Sequence, residues 1–247
     1  MSIYWKECSM IIDVLTCFPE MINPVISESM VKRAQEKGLV TIRVHDLREF
    51  SADKHRKTDD YPFGGGDGMV MTPQPLYDGI RTLLQQAPNG VRSRVLFPTP
   101  DGVVFKQEQA EELSQEEHLI FVCGHYKGID QRIRNLLITD EISIGDYVLT
   151  GGEISSIVIM DAIIRLIPGV LSEIKSALSD SFSDPLLDCP WYTRPEIFEG
   201  EKVPDVLLSG HHANIEAWRK EERINKTKER RPDMWKAYQD KGDDKNG

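Results

Sequence analysis

Short apolar, β-branched runs alternate with stretches of helical spacing through the first two thirds of the chain. Ser9 to Phe18 (SMIIDVLTCF) is the first such run, closed by Pro19, and it predicts a buried strand. From Pro19 the spacing lengthens: Met21, Ile22, Val25, Ile26 and Met30 share one helical face, and Lys37-Gly38 supplies the stop. Leu39 to Leu47 (LVTIRVHDL) alternates as a second strand, so the chain opens β-α-β, the start of a parallel α/β sheet. A helix over Pro73 to Gln86, a strand over Ser93 to Pro98, a turn at Thr99-Pro100-Asp101-Gly102, a short helix over Gln107 to Leu113 and a strand over His118 to Cys123 continue the alternation.

The connections carry the candidate chemistry. The strand ending at Cys123 runs into Gly124-His125-Tyr126-Lys127-Gly128, and a third glycine-bearing loop spans Ile144 to Glu153. Ligands of open α/β sheets sit at the carboxyl ends of the strands, so these loops predict a cofactor pocket. Tyr61 to Met69 contains Gly64, Gly65, Gly66 and Gly68, but it satisfies neither GxxxxGK[ST] nor GxGxxG. It is either a surface loop or, given Lys54, His55, Arg56 and Lys57 beside it, a contact for an anion or an RNA backbone. Ile154 to Leu171 is apolar and carries Arg165; Pro168-Gly169 breaks it, and a small, polar segment containing Asp180 follows. Asp161, Arg165 and the Pro-Gly break argue for a core helix rather than a membrane span.

Four regions follow from these patterns: an N-terminal appendage (1–9), an α/β domain (10–170), a flexible linker (171–187) and a small helical domain with a frayed tail (188–247). In the last, Asp188 to Pro195 holds Trp191, Tyr192 and Arg194, which fit a packing anchor or a base-stacking surface. The helix from Ile215 onward carries Arg219, Lys220, Arg223, Lys226, Lys228, Arg230 and Arg231 against fewer glutamates. It is either a solvated face or a phosphate grip.

Composition narrows the classes. With 247 residues, 40% of them hydrophobic, the chain can bury one large core or two modest ones. Cys8, Cys17, Cys123 and Cys189 form no CxxC pair and have no matching histidine set, so neither a disulfide framework nor a metal site is indicated. Reduced thiols and the lack of a secretory signal predict a cytoplasmic protein with no membrane segment. The formal charge of −10 requires any nucleic-acid contact to be a local basic surface.

In order along the chain, seven segments match one family: Phe18-Pro19-Glu20-Met21, Gly64 to Met69, Cys123 to Asp130, Ile144 to Glu153, Ile167 to Leu171, Asp180-Ser181-Phe182, and Leu187 to Pro195. They resemble the bacterial tRNA (guanine-N1)-methyltransferase family, TrmD, of the SPOUT methyltransferases. The resemblance runs from about Met10 to Arg231. It implies a mostly parallel α/β sheet with a deep trefoil knot, one of the rare exceptions to un-knotted topology, followed by the small helical domain. It further implies a homodimer with active sites shared between subunits, S-adenosylmethionine as cofactor, and tRNA with G36-G37 as substrate, methylated at N1 of guanine 37. A dependence on magnesium is implied as well, with no ligand set legible in the sequence.

Residue by residue, the resemblance places Pro100, Gly102, Gly124, Tyr126, Ile144, Gly145, Tyr147, Leu149, Gly151 and Gly152 on the cofactor loops. It makes Asp180 the general base and Arg165 the stabiliser of guanine O6. Gly64, Gly65, Gly66, Arg194, Arg219, Lys220 and Arg223 are the substrate-contact candidates. Where many relatives have Arg-Tyr-Glu, this chain has His125-Tyr126-Lys127, an ammonium in place of a carboxylate at position 127. Taken only as residue types, Arg165 also fits an intrahelical pair with Asp161, and Asp180 a helix cap or a solvated linker residue. Two rival functions remain open on the sequence: a SPOUT enzyme acting at another RNA position, and a knotted RNA-binding module without activity.

Overall fold

The computed structural model describes residues 9–171, 181–182 and 184–243. The chain divides into two compact units, Met1–Ser172 and Glu173–Gly247. In the first unit, β1 (Met10–Thr16) and β2 (Val40–Asp46) precede a small antiparallel pair, β3 (Asp59–Asp60) with β4 (Val70–Met71). Then come β5 (Ser93–Val104), β6 (His118–Val122) and β7 (Asp140–Ser143). The five larger strands form one sheet in the order β2-β1-β6-β5-β7, with every neighbouring pair parallel. The helices are α1 (Asn23–Ile26), α2 (Ser29–Glu36), α3 (Pro73–Gln85), α4 (Gln107–Leu113), α5 (Gln131–Leu137) and α6 (Gly152–Ile164).

Two apolar cores flank the sheet. Ile12, Val14, Leu96, Leu119 and Phe121 pack with residues of α2, α4 and α6. Leu15, Val95, Ile120 and Val122 pack with residues of α3 and α5. With both faces covered, central strands read as continuous apolar runs, and all five residues of β6 are buried.

Where the periodicity predicts one helix after Pro19, the chain instead makes a 3-10 turn (Pro19–Met21), α1 and α2. Pro24 enters α1 at its first turn, and the Ser27 hydroxyl donates to the Asn23 carbonyl at 2.7 Å. Glu28 is then extended (φ −130°, ψ 164°) and Ser29 has φ 53°, which ends the helical run. Past Pro98, β5 also departs from expectation. Pro98 and Val103 both pair with Ile142, so Thr99 to Gly102 leave the ladder as a short excursion before the strand resumes. The pattern gave no warning of α5 or β7: α5 has one buried residue, Ile133, and β7 is four residues long with Ile142 as its single apolar residue. Among the described residues, no helix is long and apolar enough to cross a membrane.

The second unit contains the antiparallel pair β8 (Ile197–Phe198) and β9 (Glu201–Lys202), then α7 (Asp205–Leu208), α8 (His212–Arg230) and α9 (Pro232–Asp243). The basic run lies on α8, which begins three residues before the expected start at Ile215.

One polar row crosses the sheet on its α3 side, towards the ends of the strands remote from the glycine loops. Asp13 of β1 is fully buried. It accepts from Arg43 Nε at 2.7 Å and Nη2 at 2.6 Å, and pairs with His45 Nε2 at 2.7 Å and His118 Nε2 at 2.8 Å. Ser93 Oγ lies 2.7 Å from the other nitrogen of His118. Burial alone would raise the Asp13 carboxyl, but the hydrogen bonds from His118, His45 and Arg43 hold it well below the usual carboxylate range. A folded-state pKa depressed in this way adds stability that is complete above the ordinary carboxylate range and is lost progressively as pH falls from that range to the depressed folded value. Asp13→Ala is expected to cost about 3–5 kcal/mol at pH 7, because it strands His118 and Arg43 without their anion. Urea unfolding at pH 7 and pH 4 checks this, and a loss of less than about 1 kcal/mol at pH 7 would remove the row from the stability account.

Candidate methyl-donor site

The mid-strand excursion of β5 and the loops that follow β6 and β7 enclose a cavity of about 270 Å³. Its walls come from the Pro98–Pro100 excursion, the Gly124–Gly128 loop and the Ile144–Gly152 loop, with Phe97 and Ser155 adding to the lining. Nine of the ten positions expected on the cofactor loops converge here: Pro100, Gly124, Tyr126, Ile144, Gly145, Tyr147, Leu149, Gly151 and Gly152. Gly102 is not among the lining residues. It presses on β7, where an added Cβ would stand 2.5 Å from the backbone of Glu141 and Ile142.

Backbone proximity makes this wall. Gly152 N–H donates to Gly124 O at 2.9 Å, and His125 bridges Gly151 in antiparallel fashion. A Cβ on Gly152 would lie 2.8 Å from Cys123 Cα and 2.9 Å from Gly124 N, neither of which can swing away. Gly124 likewise admits the Phe97 ring, which would stand 2.7 Å from its Cβ.

Beneath the wall is a polar joint that the spacing could not reveal, because its parts are far apart in sequence. Glu153, in the first turn of α6, is fully buried. It accepts from Thr16 Oγ1 at 2.5 Å, and His125 Nε2 lies 2.9 and 2.8 Å from its two oxygens. Burial pushes the Glu153 carboxyl up, yet the hydrogen bonds from His125 and Thr16 bring it below its ordinary value. A carboxylate also suits a helix N-terminus. The His125 ring packs 4.7 Å from Phe18, which follows β1. A second joint lies outside the cavity. Arg134 of α5 binds Asp101 at 2.8 Å and Glu141 at 2.8 and 2.5 Å, with its guanidinium 5.5 Å from the centre of the Phe97 ring. It thereby fixes the excursion that carries Pro100.

Gly64, Gly65 and Gly66 are exposed, with φ of 86°, 78° and 112°. Their loop is closed by β3 and β4 and stitched to the cavity wall. Lys127 N–H donates to Met69 O at 3.0 Å, Met71 N–H to Gly128 O at 3.0 Å and Asp130 N–H to Met71 O at 3.0 Å. The glycine loop and the cofactor-loop candidates are therefore neighbours. Arg165 is elsewhere, partly buried at the C-terminal end of α6. Thirteen residues separate it from Gly152, about 20 Å at 1.5 Å per helical residue. Asp180 lies outside the described residues.

In the second unit the basic side chains divide by task. Arg223 binds the Leu187 carbonyl at 3.1 Å and pairs with Asp184, and Lys226 reaches the Asp188 carbonyl at 2.9 Å, so both strap residues 184–188 to α8. Arg219 pairs with Glu216 at 2.8 Å and covers the Trp191 ring at 4.8 Å. Trp191 remains 62% exposed and donates to Asp188 Oδ2 at 2.6 Å, so the anchor and the exposed platform coexist in one side chain. Lys220 and Arg194 are exposed. Among the described residues no three His, Cys, Asp or Glu side chains converge as a metal site.

Gly152→Ala is expected to cost about 2–3 kcal/mol, at the upper end of overpacking costs because the obstruction is backbone. That corresponds to a fall in Tm of roughly 4–12 °C for a chain of this size. A melting curve that matches the parent would show that the wall can give way.

The description tRNA (Guanine-1)-methyltransferase TrmD belongs to a family model that matches residues 10–237. The chain is 56% identical over 223 residues to a tRNA (guanine-N(1)-)-methyltransferase of Halalkalibacterium halodurans, covering 90% of each chain. It is 54% identical over 229 residues to the protein of the same name from Shouchella clausii, and 53% identical over 228 residues to that from Anoxybacillus flavithermus, each match covering 92% of both chains. With a parallel α/β sheet, a cavity at its carboxyl edge and matches of this extent, the chain belongs to the TrmD family of tRNA (guanine-1)-methyltransferases.

Proposed function

We propose that this chain moves a methyl group from S-adenosylmethionine to N1 of guanine 37 in tRNA with guanine at position 36, working as a homodimer with shared active sites. The observation that carries the reading is the convergence of nine matched positions on one cavity, in a chain of a tRNA methyltransferase family. A largely apolar, backbone-lined cleft with few polar groups suits a nucleoside-bearing donor. Pro100, Gly124, Tyr126, Ile144, Gly145, Tyr147, Leu149, Gly151 and Gly152 would hold it, within a domain (10–170) that carries the trefoil knot of SPOUT enzymes. Bound there, the donor supplies a methyl group already activated on a sulfonium.

Guanine sets the remaining requirement. Its N1 bears a proton, and the neutral base offers no lone pair there for attack. Asp180 takes that proton, a general-base contribution commonly worth about 10²–10⁴-fold. Negative charge then grows on O6, where Arg165 holds it; loss of one such donor costs roughly 3–4 kcal/mol. The guanine leaves the anticodon-loop stack to reach the site. Lys220 and Arg194, exposed on the small domain, supply salt-sensitive phosphate contacts with the glycine loop at Gly64 to Gly66, while Arg219 and Arg223 set the surface they stand on. The described residues offer no ligand cluster for magnesium.

Two observations support the dimer. Along α6, Arg165 is a helix length from the cavity of its own chain, so a guanine at that cavity meets the arginine of a second copy. The same helix is apolar on nearly every side, a pattern that belongs in an interior. Yet Ile154 and Val158 are 47% and 46% exposed, beside a groove of about 310 Å³ lined by Val25, Ile26, Ile42, Ile157 and Met160.

Val158→Asp is expected to shift the protein to monomers in light scattering and to abolish methyl transfer; a dimer that persists with full activity would remove this face from the interface. Asp180→Asn is expected to bind S-adenosylmethionine within about twofold of the parent and to lose at least 10²-fold in turnover. The assay is methyl transfer to transcripts bearing G36-G37 or A36-G37, with the modified base mapped by primer extension. Near-parental turnover of the Asn variant would sink the base assignment, and a modified base other than guanine 37 would favour a different SPOUT specificity.

A further inference from the structure

The cavity is unbalanced in charge. Among its described lining residues there is no Asp or Glu, and Lys127 is the sole lysine or arginine. His125, the other basic lining residue, already has Nε2 engaged by Glu153. Lys127 is held by its own backbone, through the N–H to Met69 O, and its side-chain stem runs across Gly68. A Cβ on Gly68 would stand 3.3 Å from both Cγ and Cε of Lys127, and the φ of +93° at Gly68 keeps that path free of any side chain. Lys127 is an exposed residue, and none of the salt bridges among the described residues includes it. A strongly hydrated point charge at a cavity wall is matched by an anion, and the pairing strengthens as water is excluded.

Resting on the reading of this cavity as the donor site, we propose that Lys127 binds the carboxylate at the amino-acid end of S-adenosylmethionine and makes the pocket selective for donors that keep that carboxylate. The donor carries two cationic groups, the sulfonium and the α-ammonium, and one anionic group. An ammonium at position 127 repels the first two and attracts the third, so it fixes the amino-acid end in one sense: carboxylate towards Lys127, α-ammonium away. A phosphate of the RNA is the competing anion. The placement of Lys127 in the lining of the cavity, rather than only on the exposed glycine loop, favours the donor.

Calorimetric titration of the full chain separates these roles without an activity assay. The ligands are S-adenosylmethionine, its decarboxylated form and 5′-methylthioadenosine, which lacks the amino-acid end altogether. Lys127→Gln is expected to weaken S-adenosylmethionine about tenfold, the order of one charge-assisted contact, while methylthioadenosine stays within about twofold. Lys127→Glu is expected to reverse the ranking, so that the decarboxylated donor binds more tightly than S-adenosylmethionine. Parental affinity of Lys127→Gln for S-adenosylmethionine overturns the proposal, and does so in favour of the phosphate if tRNA affinity falls instead. Failure of the parent to bind either S-adenosylmethionine or methylthioadenosine overturns the donor-site reading and this inference with it. Binding of both, unchanged in Lys127→Gln, overturns this inference alone.

Discussion

Everything at the carboxyl edge of the sheet depends on the burial of one carboxylate. Glu153 is removed from water at the start of α6, and such a charge is tolerated only where its oxygens are satisfied. Thr16, at the end of β1, and His125, in the loop after β6, satisfy them. The same three residues fix where a helix begins, where a strand ends and which way a loop turns. With that joint made, the Gly151–Gly152 backbone has one place to go, against Cys123 and Gly124, and only residues without a Cβ fit there. Positions that look like a loose glycine-rich loop in the sequence are therefore a close contact between two backbones. Rigidity at this wall comes from a hydrogen-bonded carboxylate below it as much as from the apolar cores on either side.

Much of this fold could be read from local pattern. Strands whose apolar runs are long, such as His118 to Val122, declare themselves because both faces are buried. The turn at Thr99 to Gly102 is legible because two prolines and a glycine mark it. Elements that fail to declare themselves have a physical reason. The stretch after Pro19 has helical spacing throughout, and its three pieces still bury Ile22, Val31 and Ala34, so the apolar pattern is served without a continuous helix. Strand β7 is short and mostly polar, and it exists because β5 offers it a parallel edge on both sides of a bulge.

The site was legible to a different degree. Glycines and aromatics on three loops pointed to a cavity, and the sheet brings nine of the ten matched positions to it. What supports them was hidden, since Thr16 and Glu153 are 137 residues apart and Arg134 reaches two carboxylates on other elements. Partners of that kind depend on topology, which spacing does not encode. On α8 the Lys/Arg excess was visible, but its division of labour was not. Arg223 and Lys226 are spent on carbonyls and a carboxylate of residues 184–188, which leaves fewer free cations than the count suggests. This agrees with a chain whose formal charge is −10, in which attraction for a polyanion has to be local.

The most telling geometric fact about the proposed reaction is a separation. Gly152 begins α6 and Arg165 ends it, so the arginine and the cavity proposed to serve one guanine stand at opposite ends of one stiff rod. Even from Ser155, the cavity residue furthest along α6, ten residues or about 15 Å of helix separate them, roughly twice the reach of an extended arginine. No change of rotamer closes that gap, and bending the helix would expose the Ile159, Met160 and Ile163 side chains that anchor it in the core. The second copy proposed above would resolve the difficulty and at the same time cover the apolar face at Ile154 and Val158, which are 47% and 46% exposed in the single chain. One requirement of chemistry and one of solvation thus call for the same partner, and the helix that separates the two groups within a chain is the surface through which two chains would bring them together.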